Sequence, residues 1–350
     1  MNAQVTALAR RSYSGPHTAR TAVLSGLGSW VPPHVVDNDE IAERLSTTPD
    51  WIQTRTGIRQ RRVIDPGMST SDLAVQAGQR ALKSANVESV DFVILATTTP
   101  DRPCPATAPD VASRLGVGGA AAFDLNAVCT GFVYGLATGA GLIAGGIADR
   151  VLVIGADTFS TIVHPLCPTS AAIFGDGAGA VVLRAGEAHE LGAIGAFDLG
   201  SDGDGAELIM VPAGGSRQRG TRIAADERDT YFTMAGKKVF LRAITHMAKS
   251  AEAVLDRAGM RLQDVDKFVY HQANARILHG VADRLGQPRS KFVRNIDMVG
   301  NTAAASVPIA LATANENREL LVGQRVLLGA FGGGLTWGST VLRWPDIDAL

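Results

Sequence analysis

At 350 residues, with 46% hydrophobic and 19% charged side chains, the chain is long enough for a large core and about two domains, and too apolar to be disordered. Its net charge of −1 supplies no global field to draw nucleic acid or an anionic membrane surface. The three cysteines, Cys104, Cys129 and Cys167, are odd in number and widely spaced, without a CxxC pair or a His/Cys cluster; this argues against a disulfide framework or a metal site and for a reducing, cytoplasmic setting.

Residues 1–20 carry Arg10, Arg11 and Arg20 but no apolar stretch, so they read as a flexible tail and not as a secretory signal. Residues 21–28 read as a strand that Val31-Pro32-Pro33 breaks, and residues 38–45 as a short helix capped by Asp37 or Asn38. Residues 51–62 read as a polar loop holding Arg55, Arg59, Arg61 and Arg62. Ser71 is expected to cap an amphipathic helix through Ala85, and residues 92–97 form an apolar, β-branched strand. Helix and strand then alternate: helix 108–115, strand 121–125, helix 131–148, strand 151–155, and strand 180–183 after Gly175-Asp-Gly-Ala-Gly. Alternation predicts parallel sheets covered by helices. Residues 125–148 hold no charged side chain, long enough for a membrane span. They open strand-like and are rich in Gly and Ala, which predicts a central buried helix instead. Residues 203–230 are the longest polar stretch and read as a surface loop.

The second half repeats the first. Val111-Ala-Ser-Arg-Leu-Gly116 is echoed by Val281-Ala-Asp-Arg-Leu-Gly286, Val90-Asp-Phe-Val93 by Val265 to Val269, and Phe174-Gly175 with Val182-Leu-Arg184 by Phe331-Gly332 with Val341-Leu-Arg343. Three echoes in one order imply a duplicated α/β unit, with halves 21–188 and 189–350 meeting near Glu187 to Leu191. After the shared helix and strand, the turn carries Cys129 in the first copy and Asn301 in the second, which would bring both to facing helix starts.

A lone cysteine is more often a buried structural residue, and a Gly-Asn-Thr turn more often a simple cap. Here Cys129 lies between a strand and a helix start, where unpaired N–H groups and the helix dipole favour a thiolate. His271 follows strand 267–270, at the end where open α/β sheets bind ligands, whereas His34, His164 and His189 lack such a setting. His271 and Asn301 facing one thiolate would form an oxyanion site for a thioester carbonyl. The backbone N–H of Cys129 and those of Gly332-Gly333-Gly334, Gly333 foremost, would serve a second carbonyl. Gly26-Leu-Gly28 and Gly175 to Gly179 are rejected as phosphate cradles, since the second enters a strand and lacks the P-loop lysine.

Six motifs together resemble the β-ketoacyl-acyl-carrier-protein synthase III family of the thiolase superfamily, over about residues 21–343. They are Trp51 with Arg55-Thr-Gly-Ile-Arg59, Cys129-Thr-Gly-Phe, Phe174-Gly-Asp-Gly-Ala-Gly, His271-Gln-Ala-Asn-Ala-Arg276, Gly300-Asn301-Thr and Phe331-Gly-Gly-Gly. The resemblance implies a five-layer αβαβα thiolase-like fold, a homodimer, and a Cys129–His271–Asn301 triad. It implies decarboxylative condensation of an acyl group on Cys129 with a malonyl-carrier thioester, priming fatty acid or polyketide synthesis. Trp51, Arg55, Asn274, Arg276 and Phe331 would meet coenzyme A, its pantetheine arm or the acyl carrier protein. Coenzyme A or phosphopantetheine thioesters enter as substrates, with no separate cofactor. Arg59, Arg61, Arg62, Lys237, Lys238 and Arg276 would form a basic rim for an acidic carrier.

Two positions depart from the family pattern. Cys167-Pro168 stands where members commonly carry Asp-Arg, which weakens the expected grip on adenine. Cys104 stands where many carry a Phe that plugs the acyl pocket across the dimer, implying room for a larger or branched acyl group. A thiolase would want a second catalytic cysteine in the C-terminal half, and none follows Cys167. A non-decarboxylating acyltransferase remains the rival reading, and a silent partner subunit would be expected to lose Cys129.

Overall fold

The computed structural model describes residues 20–350, so the segment read as a tail lies, but for Arg20, outside the described residues. In chain order, β1 (Thr21–Trp30), β2 (Val35–Asp37), α1 (Asn38–Leu45), α2 (Pro49–Thr56), β3 (Gln60–Arg62) and α3 (Thr70–Ser84) open the molecule. There follow β4 (Phe92–Ala96), α4 (Ala108–Arg114), β5 (Ala121–Leu125), α5 (Gly131–Ala144), β6 (Arg150–Asp157) and β7 (Gly177–Gly186). The second half holds β8 (Ile194–Ser201), β9 (Ile209–Met210), α6 (Ser216–Gly220), β10 (Thr233–Met234), α7 (Gly236–Arg257), β11 (Lys267–Tyr270) and α8 (Ala275–Leu285). It closes with α9 (Ile296–Val299), α10 (Ser306–Glu316), β12 (Arg325–Gly332) and β13 (Thr336–Arg343).

Two sheets carry the fold, ordered β1-β7-β6-β4-β5 and β11-β12-β13-β8. Helices α5 and α10 lie between them in one apolar core that draws Val153 and Val181 from the first sheet and Val326 and Leu328 from the second. The outer face of the first sheet is covered by α3 and α4, and that of the second by α7 and α8. The result is five layers, αβαβα. The small residues that marked α5 act at this step: a Cβ on Gly135 would lie 2.8 Å from Val153, so the helix seats directly on the sheet. Among the described residues no helix is long and apolar enough to cross a membrane.

Five sequence expectations need correction. The sheets are mixed: β4 runs parallel to β5 and β6, but β7 runs antiparallel to both β1 and β6. The connections 158–176, between β6 and β7, and 333–335, between β12 and β13, return the chain antiparallel, and no crossover α-helix intervenes in either. Residues 49–56 are helical: the Thr48 hydroxyl caps the Trp51 N–H and Pro49 begins the helix, signals that the arginine-rich composition obscured. The cap of α3 is Ser69, whose N–H donates to the Asp72 carboxylate in a capping box, and α5 stops at Ala144 before Gly145-Gly146. Residues 203–230 are largely exposed but contain β9, α6 and two 3₁₀ turns.

Candidate active site

Each half enters its interlayer helix through the same turn, which follows β5 in the first half and α9 in the second. In the first, Thr130 N–H donates to the Ala127 carbonyl and the 3₁₀ turn Val128–Thr130 runs into α5. In the second, Ala305 N–H donates to the Thr302 carbonyl and the 3₁₀ turn Ala303–Ala305 runs into α10. Val128 and Ala303 both hold left-handed backbone, at φ 49° and 48°. For a β-branched valine that is strain of about 1–3 kcal/mol, which the packed surroundings must sustain. The Asn126 carbonyl oxygen Oδ1 accepts from Val128 N–H, as Asn301 Oδ1 accepts from Ala303 N–H. The duplication therefore pairs Asn126 with Asn301 and Cys129 with Ala304, which corrects the expectation that Cys129 and Asn301 are counterparts. They come together because the two turns pack on each other.

Cys129 is buried in a cluster with Phe159, Phe174, Phe232 and Ala303. Phe174 bridges to Asn301 in backbone pairing, and the Asn301 N–H donates to the Ile173 carbonyl. Gly332 ends β12 against the nucleophile turn: a Cβ there would lie 2.9 Å from the Cys129 nitrogen. His271 continues β11, its N–H donating to the Gly329 carbonyl of β12, three residues before Gly332. The α5 turn thus packs against both the α10 turn and β12, the strand that pairs with β11 and leads to His271.

The electrostatics differ from the sequence expectation. Burial, reinforced by the Asp157 charge, pushes the Cys129 thiol up to about 12, so the resting state is a thiol and the helix start does not prevail. Burial alone pushes His271 down to about 3, leaving a neutral imidazole, and its Nδ1 is buried with no hydrogen-bond partner among the described residues. Asn301 Oδ1 is held by Ala303, which leaves its Nδ2 group free to donate.

A cavity of about 290 Å³ leads inward from Trp51 and Arg55 past Pro168, Ala273 and Asn274 to Asn301. It adjoins an outer hollow of about 460 Å³ rimmed by Arg55, Lys237, Asn274 and Arg276. The Arg55 guanidinium lies 4.6 Å over the Trp51 ring, and Asn274 caps α8 while donating to the Arg55 carbonyl. Phe331 lines neither space; it is buried with its ring stacked on His246. Cys104 is exposed, away from both. Arg61 does not belong to a surface rim: it is 1% exposed, and its guanidinium donates to the Val36 and Ala172 carbonyls and to Asn38 Oδ1. Arg62 turns to the Pro33 carbonyl, whereas Arg59, Lys237, Lys238 and Arg276 are exposed. Sequence reasoning missed Asp157, which is fully buried and carries no motif.

Comparison with known proteins bears on the same residues. Two family profiles match, 3-oxoacyl-[acyl-carrier-protein (ACP)] synthase III over residues 123–203 and its C-terminal region over residues 255–344. β-Ketoacyl-[acyl-carrier-protein] synthase III 3 of Streptomyces coelicolor is 58% identical, covering 94% of this chain and 99% of that protein. The crystal structure of 3-oxoacyl-(acyl carrier protein) synthase III from Pseudomonas aeruginosa aligns at 51% identity with a TM-score of 0.88, over 93% of this chain and 99% of the other. The priming β-ketosynthase of the R1128 polyketide biosynthetic pathway aligns at 31% identity and a TM-score of 0.87, over 96% and 99%. With its five layers, its paired helix-entry turns and this likeness along nearly the whole length, the chain belongs to the β-ketoacyl-[acyl-carrier-protein] synthase III family.

Proposed function

We propose that the chain condenses an acyl thioester with a malonyl-carrier thioester, with loss of carbon dioxide, to prime fatty acid or polyketide synthesis. The observation that carries the proposal is the packing of the Cys129 turn on the turn that follows Asn301, with Asn301 lining a cavity whose mouth is cationic. In the first half-reaction the Cys129 sulfur attacks the acyl carbonyl. The oxyanion is held by the N–H groups of Cys129 and Gly333, and the donor thiolate leaves with the proton that the thiol gave up. A thiol near 12 and an imidazole near 3 make a resting ion pair unfavourable, so the proton moves as the sulfur attacks. In the second, the bond to the malonyl carboxylate breaks and its electron pair becomes an enolate, whose oxygen accepts from His271 and Asn301 Nδ2. The enolate carbon attacks the acyl carbonyl, and the Cys129 thiolate leaves and regains a proton. A neutral imidazole suits this role because it donates without carrying charge.

Trp51, Arg55, Asn274 and Arg276 would guide a phosphopantetheine or coenzyme A arm, and Lys237 with Arg276 would face an acidic carrier. Pro168 in the cavity wall, in place of a cation, supports a weak nucleotide grip and a carrier-bound donor. A homodimer would bring the exposed Cys104 of one subunit toward the partner's acyl pocket. The test follows acyl-enzyme mass and carbon dioxide release in parallel. Cys129→Ala should take up no acyl mass. Asn301→Ala should acylate nearly as wild type yet lose about 10²–10³ in malonyl decarboxylation, the usual effect of one oxyanion donor. Wild type that acylates but decarboxylates no malonyl thioester would replace condensation with plain acyl transfer.

A further inference from the structure

The duplication builds the catalytic constellation twice, and the second copy is filled from within. Strands β4 and β6 pair in the register of β11 and β12: Phe92 faces Val151 as Lys267 faces Val326. Asp91 accepts from Arg150 N–H as Asp266 accepts from Arg325 N–H. One constant offset along the chain then relates Ala96 to His271, Asn126 to Asn301, Cys129 to Ala304 and Asp157 to Gly332. Two of these relations coincide with the turn geometry described above. The mirror site thus has alanines in place of the nucleophile and the histidine, and a carboxylate where the working site has only the backbone of Gly332.

That carboxylate is fully buried. Its Oδ2 accepts from Ala304 N–H at 2.9 Å, the counterpart of the Cys129 N–H. Its Oδ1 accepts from Thr98 N–H at 2.8 Å, from Thr99 N–H at 3.1 Å and from the hydroxyls of Thr97 and Thr99. In the working site the corresponding residue carries no side chain, and a Cβ on Gly332 would already crowd the Cys129 nitrogen. An anion held by the N–H of a nucleophile-type turn is what that turn presents to a tetrahedral intermediate. Asp157 therefore occupies the second oxyanion position permanently.

The consequence falls on Asn301. Its side chain is oriented by Ala303 N–H, and Ala303 and Ala304 share the turn that Asp157 anchors to the first half. We infer that Asp157 is a positioning residue for the condensation step, fixing the Asn301 amide by holding the Ala303–Ala305 turn. The inference rests on the proposed role of Asn301. It assigns Asp157 no contact with substrate.

Asp157→Asn tests it, because an amide offers one acceptor oxygen and must turn its NH₂ against either Ala304 N–H or the Thr98 and Thr99 N–H groups. Amide exchange over residues 301–305 should rise about tenfold, and malonyl decarboxylation should fall about 10²-fold. Acylation of Cys129 should not fall, because the substitution removes a charge that opposes the thiolate, and Asp157→Asn with Asn301→Ala should be no slower in decarboxylation than Asn301→Ala alone, since both remove one donor. Unchanged exchange, equal losses in both half-reactions, or multiplying losses in the double variant would overturn the inference. Raised exchange in Asp157→Asn together with wild-type decarboxylation in Asn301→Ala would instead overturn the role given to Asn301 and leave the anchoring in place. Should Asp157→Asn fail to fold, Asp157→Glu keeps both acceptor oxygens one methylene displaced and should show the same split at smaller size; equal losses there would also overturn the inference.

Discussion

Cys129 shows how a residue's state is set by what surrounds it. Its place before α5 predicts a lowered thiol, but complete burial and the Asp157 charge act the other way and prevail. Alkylation of Cys129 by iodoacetamide should therefore be slow at neutral pH and keep rising above pH 9, with no plateau near pH 7. A rate that levels off below pH 8 would mean a resting thiolate. His271 gives the matching acid-side prediction. Its folded value is depressed to about 3, so its contribution to stability is present above the unfolded value near 6.5 and is lost as pH falls toward 3. His271→Gln should lessen the drop in melting temperature between pH 7 and pH 4.5. Arg61 is the third residue whose surroundings overrule its type. Among the described residues no carboxylate lies within ion-pair distance of it, yet three of its hydrogen bonds satisfy buried acceptors. Arg61→Leu should cost about 2–4 kcal/mol in urea unfolding by leaving Asn38 Oδ1 and two carbonyls unpaired.

At the scale of elements, the decisive contact is the end of β12 against the α5 turn. Gly332 is needed there for approach, not for backbone freedom, because it is not among the residues with positive φ. Gly332→Ala should force the Cys129 turn and β12 apart by a few tenths of an ångström and impair acylation itself. That is the opposite split to Asn301→Ala, which impairs decarboxylation. A Gly332→Ala enzyme that acylates at the wild-type rate would show that the contact has slack. The α2 cap illustrates legibility at this scale: Thr48-Pro49-Asp50 is a complete helix-start signal, and only the run of arginines after it suggested a loop.

For the whole molecule, the first sheet has two edges of unlike character. The β1 edge is covered, by Ser29 N–H donating to the Leu350 carbonyl and by bridges to Ala193 and Ala349. Among the described residues β5 pairs only with β4, and it presents half-buried Phe123 and Leu125. An uncovered apolar edge strand invites pairing with a second copy. Light scattering should give twice the chain mass at micromolar concentration, and Phe123→Lys should shift it toward the monomer. Wild type running as a monomer would remove this basis for a dimer.

The sequence by itself determined many of the elements and the chemistry-bearing turns. Strand alternation, caps, the charge-free α5 and the echoed motifs are short-range signals, readable wherever they fall, and the repeat placed the two halves in correspondence. Tertiary structure decided the rest. Strand direction depends on which neighbour a connection reaches, so the mixed sheets were not legible from alternation. The thiol's protonation, the burial of Arg61 and the anchoring by Asp157 depend on desolvation and partners far along the chain, which no local pattern records. The pairing of Asn126 with Asn301, and not of Cys129 with it, follows from hydrogen bonds within two turns that became comparable only once both were folded.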